Sequence, residues 1–291
     1  MSDSKPLYKA YEMEERLDIW FYHPLGHFFA RLAFKAGLTP DQVTYVSMAL
    51  GLAGGLMLSS WKTAFWGFVL LVFSSVLDSA DGQLARMRGG GTLTGRILDG
   101  LTGYFMFTAS YLGLVLLYMS GEGARWAFII PVAVGGGVFS AVQSSLYDFY
   151  RTQFAAISKK RLINPDSGAP DLSGFWKFAY SSYGVYQRAF AGSHLRLRQA
   201  MLGRCPSGVA DEGAAAAYVR SNRKLVHGWN LLGDNTRFIF IALALLAHRP
   251  ELCFFFIMVI GTAVLALMVA LQAAADKELL RQMEGKASCA P

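Results

Sequence analysis

Hydrophobic residues in this 291-residue chain fall into six long blocks, at roughly 41–60, 63–85, 95–119, 126–147, 233–248 and 252–275. A helix rises about 1.5 Å per residue and the bilayer hydrocarbon is about 30 Å thick, so about 20 mainly apolar residues make one crossing. The pattern therefore predicts an all-α polytopic membrane protein with six transmembrane helices. Breaks at Trp61-Lys62, Gly89-Gly90-Gly91, Gly121-Glu122-Gly123 and His248-Arg249-Pro250 separate the blocks. The fifth block is the shortest, and it spans only if its first turn carries Asp234 and Arg237 into the headgroup layer.

Two stretches are patterned differently. Residues 11–35 interleave Trp20, Phe21, Tyr22, Phe28, Phe29, Leu32 and Phe34 with charges, which predicts an amphipathic helix lying in the interface, broken at Pro24 and Gly26. Residues 148–232 are too polar to span. They open on a Pro/Gly-punctuated piece at 164–174 and continue as an aromatic, basic run at 175–202, read as helix on the membrane surface. The expected organisation is a cytoplasmic N-terminal segment at 1–37, helices one to four at 38–147, a cytoplasmic insertion at 148–232, helices five and six at 233–275, and a tail at 276–291. The polar start of the chain carries no apolar leader pattern, so internal segments are expected to drive insertion.

Composition supports the membrane reading: 54% of residues are hydrophobic and 16% charged, and the net charge is +7. Of 27 Lys and Arg, all but Lys62, Arg125 and Arg249 fall in the N-terminal segment, the even-numbered connections or the tail. The positive-inside bias then puts both termini on the cytoplasmic side of the cell (inner) membrane. The basic triplet Lys159-Lys160-Arg161 can attract anionic membrane lipid, and nucleic acid is not an expected partner. Cys205, Cys253 and Cys289 are too far apart for a disulfide framework or a paired metal site.

Candidate chemistry sits where the second block breaks its own rule. The run DSADGQLARMRGGGTLTGRILDGLTGY begins at Asp78, inside an apolar stretch. An ionised carboxylate at the centre of a spanning helix costs about 2.5–3.5 kcal/mol even on a lenient scale, so Asp78, Asp81 and Asp99 need a cation or an exit to water. At about 100° per residue, Asp78 and Asp81 lie about 60° apart with Ala85 beside them, and Gly95, Asp99 and Gly103 form a matching stripe on the next helix. Oxygen-only donors suit hard ions, Mg2+ or Mn2+, rather than zinc. Gly82, Ala85 and Gly95 leave room for a ligand, and the pattern suggests a metal-bound phosphate.

These residues resemble the signature of the CDP-alcohol phosphotransferase family, D-x2-D-G-x2-A-R-x8-G-x3-D-x3-D. Asp78, Asp81, Gly82, Ala85, Arg86, Gly95 and Asp99 match at the family spacing. The stretch from Leu38 to Thr44, LTPDQVT, is similar to the family's Leu-Thr-Pro-Asn-x-x-Thr, with Asp41 in place of Asn. The resemblance implies an integral membrane enzyme that moves a substituted phosphoryl group from a CDP-linked donor to an acceptor alcohol and releases CMP. At least one of the two substrates would be a lipid. It also implies that Asp78, Asp81 and Asp99 bind two divalent ions, that Gly82, Ala85, Arg86, Gly95 and Thr44 belong to the nucleotide site, and that a homodimer forms.

The family's last Asp is Gly103 here. That Asp usually serves as metal ligand and general base, and losing a general base costs about 10²–10⁴ in rate. Three readings stay open. Asp148, Asp234 or, more weakly, His227 could substitute; the acceptor could be acidic enough to need little help; or the chain could bind nucleotide or lipid as a regulator or partner subunit.

Overall fold

The computed structural model describes residues 13–90, 93–162, 191–204 and 208–287, without the side chains of 93–101 and 285–287. The Pro/Gly-punctuated piece at 164–174 and most of the aromatic run lie outside the described residues, as do the side chains of Arg96 and Asp99. Among the described residues the chain is all-helical, with one isolated bridge between Arg161 and Val209. The helices are α1 (His23–Lys35), α2 (Pro40–Met57), α3 (Ala64–Met87), α4 (Leu93–Met119), α5 (Trp126–Ser158), α6 (Gly192–Arg204), α7 (Glu212–Trp229), α8 (Asp234–Leu246), α9 (Leu252–Phe255) and α10 (Thr262–Ala287). A π-helical turn, Asp18–Tyr22, precedes α1, and another, Phe256–Gly261, joins α9 to α10.

Four helical stretches are long and apolar enough to cross a membrane: α3, Thr102–Met119 of α4, α5, and Leu252–Glu284. The protein is thus a multi-pass helical membrane protein. The first and fifth predicted crossings are present as helices of 18 and 13 residues, but they are not among these four. Two other predicted segments are longer than hydropathy suggests. α5 runs on through Asp148 and Arg151 to Ser158, and the last crossing runs on into α10, because their polar ends are also packed helix.

Contacts group the chain into two compact units, one containing Glu14–Val138 and Asp234–Met258 and the other Phe139–Gly233 and Val259–Pro291. In the first unit, α2 starts at a capping box. Thr39 Oγ1 accepts from the Gln42 amide, Gln42 Oε1 accepts from the Thr39 amide at 2.9 Å, and Pro40 occupies the first turn, where its missing N–H is harmless. α2 then packs backbone to backbone on α3 and α4. A Cβ on Gly54 would stand 2.8 Å from the Gly67 carbonyl oxygen, and one on Gly55 would stand 2.6 Å from the Ser110 amide. Ser47 and Ser74, both buried, each donate to the other's carbonyl at 2.8 Å across the same seam. Small residues and hydroxyls of this kind are what holds helices together where lipid removes the hydrophobic drive.

The expected break of the N-terminal helix at Pro24 and Gly26 is corrected by the structure. Pro24 sits in the first turn of α1, where no N–H is required, and Gly26 is the point at which α1 touches Ser79 and Gln83 of α3. The opposite face exposes Leu17, Trp20, Phe21, Leu25, Phe28 and Leu32.

The second unit packs α6, α7 and α10 with the polar half of α5. Tyr150 stacks on Trp229 at 4.3 Å, and Trp229 Nε1 donates to Gln272, which donates in turn to Asn222 and Asp276. His194 and Asp276, fully buried, meet at 3.2 Å. Part of the predicted polar insertion is therefore ordered helix with its own buried network.

Gly55→Ala should lower stability by about 1–3 kcal/mol, because the added methyl meets backbone that cannot yield. Gly137→Ala, on α5 where a Cβ meets nothing within 4 Å, should leave it unchanged or slightly raised. Thermal unfolding of both variants in detergent checks the contrast.

Candidate active site

The α3 motif is positioned by its two ends. At its C-terminal end the helix stops in a Schellman arrangement: the Gly90 amide donates to the Ala85 carbonyl at 2.9 Å and the Gly89 amide to the Arg86 carbonyl at 3.3 Å. Gly89 and Gly90 adopt φ of +94° and +134°, conformations that side chains with a Cβ rarely take. The chain therefore turns directly after Arg86 and re-enters as α4, which carries Gly95, Asp99 and Gly103 on its first turns.

Asp81 is buried, and Thr44 Oγ1, 3.0 Å from the Pro40 carbonyl, donates its one proton to Asp81 Oδ2 at 2.5 Å. The capped start of α2 and the carboxylate of α3 are joined through this one hydroxyl, a charge-assisted bond of the strong class. Asp78 and Ala85 are half-buried on the same helix. Gly82 leaves space above its backbone in which the nearest atoms to a Cβ would be the Arg86 guanidinium nitrogens, at 3.6 and 3.9 Å. Arg86 thus folds back over the gap that Gly82 provides. Gly95 and Asp99 lie on α4, but the Asp99 side chain is outside the described residues. Among the described residues no three His, Cys, Asp or Glu side chains gather as a metal set.

Three further groups tie α1 to the motif helix. His23 Nδ1 pairs with Ser79 Oγ at 3.1 Å, His27 Nδ1 with Gln83 Oε1 at 3.2 Å, and Gln83 Nε2 donates to the His23 carbonyl at 3.1 Å. His23 also reaches buried Glu14 at 3.3 Å. Ser79 and Gln83 occupy variable positions of the motif, so only their polarity on an apolar helix could have flagged them.

The candidates for the missing carboxylate separate. Asp148 and His227 are exposed and belong to the second unit. Asp234 belongs to the same unit as Asp78 and Asp81, with 59% of its side-chain surface open, and pairs with Arg237 at 2.5 Å. Arg237 is buried with its guanidinium 5.3 Å above the Phe107 ring of α4. Asn235 donates to Glu15 at 2.6 Å and to Asp18 at 3.0 Å. Burial, and then the carboxylates of Asp18, Asp234 and Glu15, push the Tyr22 phenol up to about 12, so it stays protonated at neutral pH. At Gly103 a Cβ would meet nothing within 4 Å.

With this geometry in place, comparison with known proteins identifies the fold region. Residues 37–156 match the CDP-alcohol phosphatidyltransferase family. Similar curated proteins are phosphatidylinositol phosphate synthases. One from Mycolicibacterium smegmatis is 41% identical over 78 residues, 27% of this chain and 35% of that protein. One from Mycobacteroides abscessus is 35% identical over 95 residues, 33% of this chain and 43% of that protein. One from Corynebacterium glutamicum is 40% identical over 70 residues, 24% of this chain and 32% of that protein. The chain therefore spans only about a third to two-fifths of the length of these relatives. No solved structure matches.

Thr44→Val removes the hydroxyl that donates to Asp81 Oδ2 and should cost about 1–3 kcal/mol, since a buried carboxylate loses a partner. Thr44→Ser should retain most of that stability. Denaturation of the two variants in detergent distinguishes the hydrogen bond from simple packing of the side chain.

Proposed function

We propose that the protein is a metal-dependent CDP-alcohol phosphotransferase that transfers a substituted phosphoryl group from CDP-diacylglycerol or a CDP-alcohol to an acceptor alcohol, releasing CMP, in phospholipid or related lipid synthesis. The observation that carries this reading is the buried Asp81, held by Thr44 at the end of a helix that also presents Asp78, Gly82, Ala85 and Arg86 at the family spacing. The name shared by the relatives, phosphatidylinositol phosphate synthase, supports a phospholipid product.

The donor set fits a hard divalent ion because it is made of carboxylate oxygens, with Asp81 oriented by the Thr44 hydroxyl. Asp78, Asp81 and Asp99 would hold Mg2+ or Mn2+. Bound there, two such ions would neutralise charge on the pyrophosphate and the departing CMP. Thr44 orients Asp81, Gly82 keeps space open for the nucleotide, and Arg86, lying over that space, is placed to meet phosphate oxygens. The basic distribution along the chain supports a site on the cytoplasmic face of the cell membrane, where CDP-linked donors are soluble or lipid-anchored and anionic headgroups gather. A homodimer rests on the family resemblance alone.

Purified protein given a CDP-linked donor, candidate alcohols and Mn2+ should release CMP. Chelation, or Asp78→Asn, should reduce that release at least a hundredfold. Unchanged turnover in Asp78→Asn would overturn the assignment.

A further inference from the structure

The reading above leaves one role empty, because the family signature ends on a carboxylate and this chain ends it on Gly103. Four observations in the first unit converge on a substitute. Phe107, one turn after Gly103, packs against α8, with its ring 5.3 Å from the Arg237 guanidinium and 5.6 Å from the Phe238 ring. α4 and α8 run in the same direction: α4 runs beside α2 from Met106 against Gly51 to Gly113 against Gly55 and Leu58, toward the Trp61 end. His248, just beyond α8, stacks on Trp61 at 4.8 Å, at the end of the α2–α3 hairpin remote from Asp81. The first turn of α8 therefore lies at the Asp78 and Asp81 end.

Helical rise sets the heights. Asp234 precedes Arg237 by about 4.5 Å along the axis, and Gly103 precedes Phe107 by about 6 Å, so Asp234 and Gly103 stand at nearly one level on adjoining helices. The N-terminal segment gives the same placement independently. Asn235, next to Asp234, donates to Asp18 in the turn before α1, and His23 at the start of α1 bonds Ser79, which lies between Asp78 and Asp81. A Cβ at Gly103 would meet nothing within 4 Å, so a carboxylate can be restored there without a clash.

We propose that Asp234 supplies the carboxylate that Gly103 lacks and acts as the general base for the acceptor alcohol. The inference rests on the phosphotransferase reading. In the step it serves, the acceptor O–H proton passes to an Asp234 oxygen as the acceptor oxygen forms a bond to the transferred phosphorus. The bond from that phosphorus to the bridging oxygen breaks, and its electron pair leaves with CMP. Arg237 positions Asp234 through their 2.5 Å contact and is itself fixed over Phe107. Asp18 and Glu15, the other carboxylates nearby, already accept from Asn235 and serve as structural comparators.

The test is a rescue. In metal-dependent CMP release, Asp234→Asn should lose about 10²–10⁴ in kcat while still binding CMP, and Asp18→Asn should stay within a few-fold of the parent. Adding Gly103→Asp to Asp234→Asn should recover at least tenfold, which a purely structural role for Asp234 would not allow. Asp234→Asn with parental kcat, or a double variant no better than the single, overturns the proposal even where Asp78→Asn still abolishes turnover. A parent protein with no metal-dependent CMP release overturns both this proposal and the reading beneath it.

Discussion

The site depends on the burial of one carboxylate. Asp81 sits in an apolar helix of a membrane protein, where an ionised group is tolerated only with a specific partner. The partner at hand is the Thr44 hydroxyl, 2.5 Å away on another helix. That bond is possible only because α2 and α3 approach at backbone distance, with Gly54 against Gly67 and Ser47 exchanging hydrogen bonds with Ser74. Gly55 admits α4 equally closely. The glycine seams are thus part of the chemistry: they bring the two motif helices and the start of α2 into one compact body.

Much of this was legible in the chain because its rules are local. The apolar blocks translate directly into helices, and the spacing of Asp78 and Asp81 puts both on α3. The glycines at 51, 54 and 55 are packing residues, since a Cβ at any of them would collide with α3 or α4. What the pattern could not give was the behaviour of polar residues whose partners are distant in sequence. The bonds of His23 and His27 to α3 span 56 positions, and those of Asn235 to Glu15 and Asp18 span 220 and 217. Nothing in the local sequence around His194 announces that it meets Asp276 in a fully buried pair.

Hydropathy also misjudged where helices stop, for a physical reason. It reports where lipid contact ends, whereas α5 and α10 continue as long as packing satisfies their side chains, and polar residues such as Gln272 and Asp276 find partners inside the second unit. The same distinction explains Pro24 and Gly26. Both read as breakers by composition, yet one occupies a first turn and the other a contact point, positions where their peculiarities cost nothing or are required.

On the proposed function, the carboxylates of α3 and α4 gather divalent ions around a CDP-type pyrophosphate. Anomalous X-ray diffraction from crystals grown with Mn2+ and CMP addresses it directly. The account predicts two Mn2+ peaks about 3.5–4 Å apart, bounded by Asp78, Asp81 and Asp99, with the nucleotide over Gly82. Ordered CMP away from these residues, or no manganese between them, would contradict it.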